Sequence, residues 1–225
     1  MAESVGVNKT FSDNWLMTAS YTYSSFRGNY PGLFSIRGTG SPQLDPNILS
    51  EYDLLSLLPN KDGPLPGDVP NSFKLDAGYV YELSPRMTFN LGGNVRADQG
   101  QPINYLGAHP LYGSGEAYIL PRGSAGRTPW TWQLNLRGGT SYKLSKDYAL
   151  GLTLDLFNVT NNREVLTVDQ NYTFDSVSPI VNGKVADLPS LRNIAGQNVT
   201  ANTNFKNAIA YQAPFSARIG AKLSF

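Results

Sequence analysis

The chain has one histidine and no cysteine, and this narrows the chemistry it could perform. A catalytic nucleophile needs a base beside it, and acid–base catalysis needs carboxylates or a histidine placed together. His109 lies in LGAHPLYGSG, a loop-like stretch with no neighbouring acid. The stretch predicts a solvent-exposed loop residue. We therefore expect no catalytic residue, and a protein that is not an enzyme.

Five carboxylates in the first half of the chain could supply oxygen ligands to a calcium ion. They are Asp45, Glu51, Asp53, Asp62 and Asp68. Their spacing does not follow the EF-hand loop, and Asp residues in such stretches commonly make local turns. The Gly-rich stretch GSGEAYILPRGSAG lacks the Lys-Ser/Thr ending of a phosphate-binding loop. The sequence therefore predicts no metal site and no cofactor.

A second set of ionic side chains recurs at alternate positions of segments whose other positions are apolar. The set is Arg96, Asp98, Arg137, Asp155, Arg218 and Lys222. On one face of a sheet, such side chains could line a ligand path with charge and hydrogen bonds, or could simply keep a water-filled lumen wet. The sequence leaves both roles open and identifies no substrate. The answer depends on the elements that carry these residues.

Those segments alternate with a period of two, which is typical of strands with one apolar face. In SFKLDAGYVYEL, residues 72–83, aromatic and aliphatic side chains take the odd positions, whereas Lys74, Asp76 and Glu82 take even ones. Similar patterns predict strands at about 4–11, 15–27, 87–98, 130–144, 148–157 and 211–225. Aromatic residues flank several of the apolar bands. The sequence thus predicts about seven strands.

The connections between these strands alternate between short and long. Short turns are expected near 12–14, 84–86 and 145–147, and long segments at about 28–71, 105–128 and 174–207. Outer-membrane barrels have short periplasmic turns and long extracellular loops. Strands of a soluble β-sandwich also alternate, because one face meets the core. The loop asymmetry, the flanking aromatics and the charged polar face favour an all-β, antiparallel sector of a transmembrane barrel.

The composition excludes several other classes of protein. Only 16% of residues are charged, against about 25% in an average soluble domain. A net charge of +1 and the lack of a run of like charges give no reason to expect a nucleic-acid partner. No stretch approaches the roughly 18 apolar residues of a transmembrane helix. The opening MAESVGVNKTF does not resemble a secretory signal, so we expect any export signal to lie outside this chain.

Three longer stretches carry a family resemblance. They are DPNILSEYDLLSLLPNKDGPLPGDVPNSFKLDAGYVYEL, LPRGSAGRTPWTWQLNLR and LDLFNVTNNREV, and their most specific runs are residues 63–68 and 122–130. These stretches resemble the C-terminal barrel region of TonB-dependent receptors, particularly the Oar-like group. The resemblance covers nearly all of the chain. It implies a bacterial outer-membrane receptor that moves a bulky ligand with energy supplied through TonB.

Members of that family have an export signal, a TonB-contacting box, a plug domain and a barrel of about 22 strands. About seven strands cannot close such a barrel, so we expect residues 1–225 to be its C-terminal portion and not transport-competent alone. TonB would be contacted only through N-terminal regions that this chain lacks. An independent porin-like or adhesin-like outer-membrane barrel stays open as the alternative, and a soluble sugar-binding β-sandwich is a third class.

The last predicted strand, SARIGAKLSF, alternates strictly and ends on an aromatic residue. It resembles the C-terminal signal of bacterial outer-membrane proteins, which the barrel-assembly machinery recognises. The apolar residues that would form this assembly signal are Ile219, Leu223 and Phe225. We therefore expect two kinds of partner, which are the assembly machinery through this strand and outer-membrane lipid around the apolar face.

Overall fold

The structure is a computed structural model that describes residues 1–31 and 52–225. Its strands are β1 (Ala2–Ser12), β2 (Trp15–Ser24), β3 (Arg27–Gly28), β4 (Gly63–Pro64), β5 (Asn71–Ser84), β6 (Met87–Asp98), β7 (Leu106–His109), β8 (Gly113–Tyr118), β9 (Thr131–Lys143), β10 (Ala149–Phe157), β11 (Val165–Val168), β12 (Asn171–Ser176), β13 (Ala208–Tyr211) and β14 (Ser216–Ser224). The described ranges also contain two 3-10 helices, Leu55–Leu57 and Val185–Ser190. No helix within these ranges has the length and apolar character needed to span a bilayer.

The main sheet contains seven antiparallel strands in the order β1-β2-β5-β6-β9-β10-β14. Each strand pairs with the next strand of this sheet along the chain, so the sheet is a meander. β1 and β14 form its two edges, and neither has a second partner within the described residues. The all-β, mostly antiparallel fold predicted from the sequence is confirmed. These strands do not by themselves form a closed barrel.

The register keeps the apolar positions of all seven strands on one face. Leu75 lies opposite Val95, and Val95 lies opposite Leu134. At the other edge, Leu150 lies opposite Leu223. Because side chains alternate with a period of two, a slip of one residue would move a strand's apolar set to the other face. The alternation in the sequence therefore favours a single register.

The apolar face of this sheet is exposed. Leu152 in the middle of β10 is 46% exposed, and Ile219 on β14 is 82% exposed. All residues of the seven strands are described, and the only buried residue among them is Asp155, a carboxylate on the opposite, polar face. A soluble sheet normally buries its apolar face against a core. In the main sheet the burial of polar and apolar residues is therefore reversed.

The short turns all lie at one end of the sheet because neighbouring strands are antiparallel. Asp13 and Asn14 join β1 to β2 with φ angles of 51° and 67°. Two-residue hairpins of this kind need positive φ, which Asp and Asn tolerate. Residues 85–86 join β5 to β6, and residues 144–148 join β9 to β10. The three long connections leave the opposite end of the sheet.

The long connections contain a packed core, which the main sheet lacks. Its buried apolar residues are Ile103, Tyr105, Ala117, Ile119, Leu120, Ala125, Val168, Val177, Leu188 and Leu191. The sheets β12-β7-β8 and β11-β13 lie in the same part of the chain. We call residues 52–70, 99–130 and 158–211 the connection body. The sequence predicted aperiodic loops here, because strands of four to six residues are too short to show a period.

Candidate functional site

The polar face of the main sheet carries the six charged residues that the sequence singled out. The register divides them into three groups, which are Arg137 with Asp155 and Arg218, then Arg96 with Asp98, and finally Lys222. The first group spans three neighbouring strands in direct cross-strand contact. The second lies at the end of β6 beside the long connections. Lys222 lies towards the short turns, opposite Gly151.

The first group ties β9, β10 and β14 together. Asp155 is buried, and its Oδ2 accepts hydrogen bonds from Nε and Nη2 of Arg218 at 3.0 and 2.9 Å. Nε of Arg137 lies 3.6 Å from Oδ1 of the same carboxylate. Both arginine side chains are more than half exposed. The group therefore presents two cations over one buried anion, with a net positive charge.

A neutral network of amide side chains continues across the polar face and explains the motif FNVTNN. Nδ2 of Asn135 donates to Oδ1 of Asn94 at 2.9 Å, and Oδ1 of Asn135 accepts the backbone N–H of Asn158 at 2.8 Å. Nδ2 of Asn158 donates to the carbonyl oxygens of Asn162 and Ala213, both at 2.8 Å. These bonds hold the chain that leaves β10 against the chain that enters β14.

Three concavities on the polar face contain the charged residues. One of about 340 Å³ is lined by Arg137, Asp155 and Arg218. One of about 260 Å³ at the rim is lined by Arg96 and Asp98, together with Gln212 from the chain after β13. Another of about 560 Å³ crosses β9, β10 and β14, and its charged lining residues are Arg137 and Lys222. The structure thus distributes the six charged residues along the face and does not gather them into one site. Their role in lining a lumen stays a prediction.

A buried ion pair joins four strands at the long-connection end of the sheet. Asp68 is 2% exposed, and its Oδ2 pairs with Nη2 of Arg127. Its Oδ1 accepts the backbone N–H of Phe26 at 2.6 Å. Nη1 of Arg127 donates to the carbonyl oxygens of Asp68 and Gly100 at 2.9 and 3.0 Å. The pair therefore connects the chain leaving β2 and β6 to the chain entering β5 and β9.

The two runs that best carried the family resemblance, residues 63–68 and 122–130, pack against each other. A Cβ on Gly123 would lie 2.2 Å from Cγ of Pro64, and a Cβ on Gly63 would lie 2.6 Å from the carbonyl oxygen of Arg122. Glycine is therefore required at both positions for the close approach. The sequence gives no signal of this contact, because Asp68 and Arg127 are 59 residues apart and neither lies in a periodic segment.

His109 is 5% exposed, so the prediction of a solvent-exposed loop residue is wrong. It ends β7, and its Nδ1 accepts the backbone N–H of Leu111 at 3.2 Å. The proton of the neutral ring is then on Nε2, which donates to Oγ of Ser56 at 3.0 Å. The imidazole cannot act as a base towards Ser56, because the nitrogen facing that hydroxyl already carries a proton. His109 is buried because both its nitrogens have partners inside the connection body.

Of the carboxylates considered as calcium ligands, the three that the structure describes, Asp53, Asp62 and Asp68, do not converge on one point. Asp68 is held in its ion pair, Asp62 is exposed, and Asp53 accepts a hydrogen bond from Oη of Tyr112 at 2.9 Å. That hydrogen bond raises the pKa of Tyr112. The two remaining candidates, Asp45 and Glu51, lie outside the described residues. Within residues 1–31 and 52–225, no group of three His, Cys, Asp or Glu side chains is placed to hold a metal ion.

Asn60 connects three segments of the connection body. Its φ of 64° lies in the left-handed region, which Asn tolerates better than most residues. Nδ2 lies 3.1, 3.0 and 3.0 Å from the carbonyl oxygens of Tyr118, Ile119 and Ile180. Oδ1 accepts the backbone N–H of Asn182 at 3.0 Å. The turn-like stretch PNKDG indicated the backbone conformation but gave no indication of these distant partners.

Replacing Asn60 by alanine should destabilise the connection body by about 1–3 kcal/mol, because backbone groups would lose their hydrogen-bond partner. In the full-length protein, amide hydrogen exchange across residues 118–122 and 180–183 should accelerate. The matched control is Asn14→Ala, which replaces an Asn of similar φ in a turn at the other end of the sheet. Unchanged exchange in the Asn60 variant would contradict the bridging role.

The residues expected to form an assembly signal lie outward at one edge of the sheet. Ile219 and Leu223 project from the apolar face of β14, and Phe225 follows the strand with its side chain exposed. The outer edge of β14 is open within the described residues. This geometry leaves the three side chains accessible, and their recognition by the assembly machinery stays a prediction.

The described residues define an all-β, mostly antiparallel protein, and comparison with known proteins indicates which kind. No family model matches the chain. Over 234 aligned positions it is 41% identical to the TonB-dependent transporter Oar of Myxococcus xanthus, and the match covers 98% of this chain and 22% of that protein. The resemblance to the Oar-like group of TonB-dependent receptors is therefore confirmed. The chain spans about a fifth of the length of this curated relative.

Among solved structures, the chain matches the siderophore receptor PiuA from Acinetobacter baumannii. The identity is 14% and the TM-score is 0.39, over 98% of this chain and 21% of that one. A likeness at this level supports no conclusion about the present chain.

Proposed function

We propose that residues 1–225 form part of the transmembrane barrel of a TonB-dependent outer-membrane transporter. The observation that carries this proposal is the reversed main sheet, which exposes its apolar face and buries only a carboxylate on its polar face. A bilayer is the surrounding that favours this arrangement, because lipid solvates the apolar side chains and the interior of the barrel stays polar. The 41% identity to Oar supports the same conclusion.

The position of the aromatic residues on the apolar face supports insertion in a bilayer. Trp15, Tyr79 and Tyr142 lie towards the short turns, whereas Phe73 and Trp132 lie towards the long connections. On β9 the eleven residues from Trp132 to Tyr142 span about 33 Å along the strand, or about 25 Å along the membrane normal at a tilt of about 40°. This height matches the apolar band of outer-membrane barrels, with aromatic residues at both interfaces.

The rest of the barrel would come from the remainder of the same protein. The open edges of β1 and β14 need partner strands, because unpaired backbone groups are costly in lipid. The plug domain and the segment that contacts TonB would also lie outside these residues, so this portion would not transport a bulky ligand alone. β14, with Ile219, Leu223 and Phe225, would be the strand that the assembly machinery recognises.

In this proposal the protein resides in the bacterial outer membrane, surrounded by lipid, and has no nucleic-acid partner. Its polar side chains guide or bind a ligand and carry out no covalent chemistry. The porin-like or adhesin-like alternative is less well supported, because the identity is to a transporter. The soluble sandwich is disfavoured by the exposed apolar face.

Cysteine labelling tests the proposed membrane topology, and residues 1–225 contain no native cysteine. The short turns should be periplasmic and the connection body extracellular. In the full-length protein on intact cells, a membrane-impermeant maleimide should label Val181→Cys, in the connection body. It should label Lys146→Cys, in a short turn, only after the outer membrane is permeabilised. Labelling of position 146 and not of position 181 on intact cells would refute this orientation.

A further inference from the structure

The apolar face of the main sheet contains a groove. It is a concavity of about 400 Å³ that crosses β2, β5, β6 and β9. We call it the apolar groove, and its lining residues on this face are Trp15, Ala77, Tyr79, Leu91, Gly93 and Leu136. Ala77 and Gly93 lie directly opposite each other, so two small residues form the floor between large apolar side chains. A Cβ on Gly93 would lie 3.2 Å from Cδ2 of Leu136, so glycine there preserves the shape of the groove.

The apolar groove begins at the short-turn end of β2 and extends towards the middle of the apolar face. Trp15, at one end, is the first residue of β2 and follows a short turn. Tyr79 lies opposite Trp15, but it is five residues from Ser84, the short-turn end of β5. Leu136, at the other end of the groove, is seven residues from Lys143, the short-turn end of β9. In the proposed function the short turns lie together at one surface of the bilayer, so the groove runs from that surface towards the midplane.

A cation lies beside the short-turn end of the apolar groove. Lys9 on β1 pairs with Met17 and therefore shares the apolar face, where it is the only cation on the seven strands, all of which are described. Its Nζ lies 4.1 Å from the ring centroid of Trp15. Nζ also donates to Oγ and the carbonyl oxygen of Ser12 at 2.7 and 2.8 Å, and to the carbonyl oxygen of Trp15 at 3.3 Å. These contacts hold the ammonium group at the end of the groove.

The charge of Lys9 has no counter-ion among the described residues. Its three hydrogen-bond acceptors are neutral oxygens, and no ion pair within this part of the chain includes it. Asp13 accepts a hydrogen bond from Oγ of Ser12 at 3.3 Å and is not paired with Lys9. Lysines on an apolar surface extend their ammonium groups to the edge of the membrane, where aromatic rings also concentrate. An anion of the membrane surface would therefore neutralise Lys9.

We propose that the apolar groove and Lys9 bind one anionic glycerophospholipid of the periplasmic leaflet, with its phosphate at Lys9 and an acyl chain over Ala77 and Gly93. The inference rests on the proposed function, in which lipid covers the apolar face and the short turns are periplasmic. A glycerophospholipid carries an anion at the membrane surface and an apolar chain directed to the midplane, which is the order of the cation and the groove. Free phosphate would leave the groove empty, and an apolar surface of a second copy would leave Lys9 without a counter-ion.

Photolabelling of the purified full-length protein in phosphatidylcholine vesicles tests the site. The probe is phosphatidylglycerol with a diazirine midway along one acyl chain, added as a minor component. After trypsin digestion, the peptides 75–86 and 87–96 contain the groove residues of β5 and β6, and the peptide 147–163 contains β10 as an internal reference. Label on the two groove peptides should exceed label on the reference peptide at least threefold. The same diazirine chain on phosphatidylcholine should label the groove peptides at least threefold less.

Two pairs of variants separate the groove from the rest of the apolar face. Ala77→Leu fills the groove and should lower the ratio of groove label to reference label at least threefold. Its control is Ala217→Leu, the same substitution at an exposed position opposite Leu156 on the same face, which should leave the ratio unchanged. Lys9→Gln should lower the phosphatidylglycerol label to the phosphatidylcholine level, whereas Lys146→Gln, at a cation in a short turn, should not. The Lys9 variant decides the proposal if the Ala77 variant does not insert.

Ordinary contact with the bilayer would give a different pattern and would overturn the proposal. Its signs are even label over the apolar face, equal label from the two lipids, and equal effects of the two alanine variants. Loss of label on adding inorganic phosphate would identify a free anion as the ligand of Lys9, and loss of label at a higher ratio of protein to lipid would identify a second copy as the occupant. Absence of label from every strand of the main sheet would instead refute the proposed function, because the apolar face would then not contact lipid.

Discussion

Replacing Leu152 by arginine is expected to lower the folding stability of the full-length protein in lipid by about 2–4 kcal/mol, as a cation near the bilayer midplane does. Leu152 lies midway along β10 on the exposed apolar face, and its cross-strand partners are Thr140 and Ala221. In water the same substitution on an exposed position would cost almost nothing. The size of the effect therefore reports whether lipid covers this face.

The matched control is Asn90→Arg on β6. Asn90 is exposed on the polar face and lies opposite Gly139 of β9. Since β9 is the strand next to β10, Asn90 lies at about the same level of the sheet as Leu152. Arginine there would face the aqueous lumen and should change stability by less than about 1 kcal/mol. Urea titration of the protein refolded into lipid vesicles measures both variants. Equal losses at the two positions would exclude a lipid-facing role for Leu152.

The main sheet could be predicted from the sequence because each strand contains at least nine residues, enough for several repeats of a two-residue period. The pattern over 72–83 predicted a strand that the structure places at Asn71–Ser84, and the pattern over 87–98 matches Met87–Asp98. The odd or even position of each residue along its strand assigned its side chain to the apolar or the polar face. Strand and face both follow from one periodic signal, so these two predictions succeed together.

The connection body could not be predicted in the same way, because its order comes from contacts between distant residues. Asn60 reaches Ile180 and Asn182, about 120 residues further along the chain. The strands of the connection body are too short to show a period, and its core is assembled from single residues of several segments. His109 looked like an exposed loop residue for this reason. Its burial depends on Ser56, which is 53 residues away.

For the charged residues of the polar face, too, the sequence predicted the periodic feature and missed the contacts between distant residues. Parity placed Asp155 and Arg218 on one face, but their contact depends on the pairing of β10 with β14, strands separated by the whole last connection. The edges of such strands look alike in the sequence, so only the structure shows which strands pair with each other. The sequence therefore predicted which of these residues share one face of the sheet but not which of them contact each other.

The second large effect is expected at Arg127, because replacing it by methionine should destabilise the protein by about 3–5 kcal/mol, the usual cost of breaking a buried ion pair by removing one partner. Among the residues that the structure describes, the substitution leaves the buried Asp68 carboxylate with the backbone N–H of Phe26 as its remaining hydrogen-bond donor. A buried charge that loses its partner is more costly than a pair that was never formed. The loss of this ion pair should also loosen the contact among β2, β5, β6 and β9 at the long-connection end of the sheet. Guanidinium unfolding of the full-length protein in detergent, followed by tryptophan fluorescence, measures the change.

Two further variants identify the buried charge as the cause. Arg137→Met makes the same substitution at an arginine whose side chain is 60% exposed, and it should cost no more than about 1 kcal/mol because such pairs are screened by water. Adding Asp68→Asn to Arg127→Met removes the unpaired charge while keeping an oxygen for the Phe26 N–H. The double variant should therefore be more stable than Arg127→Met alone. If the two losses instead add, the penalty comes from packing around Arg127 and not from the isolated carboxylate.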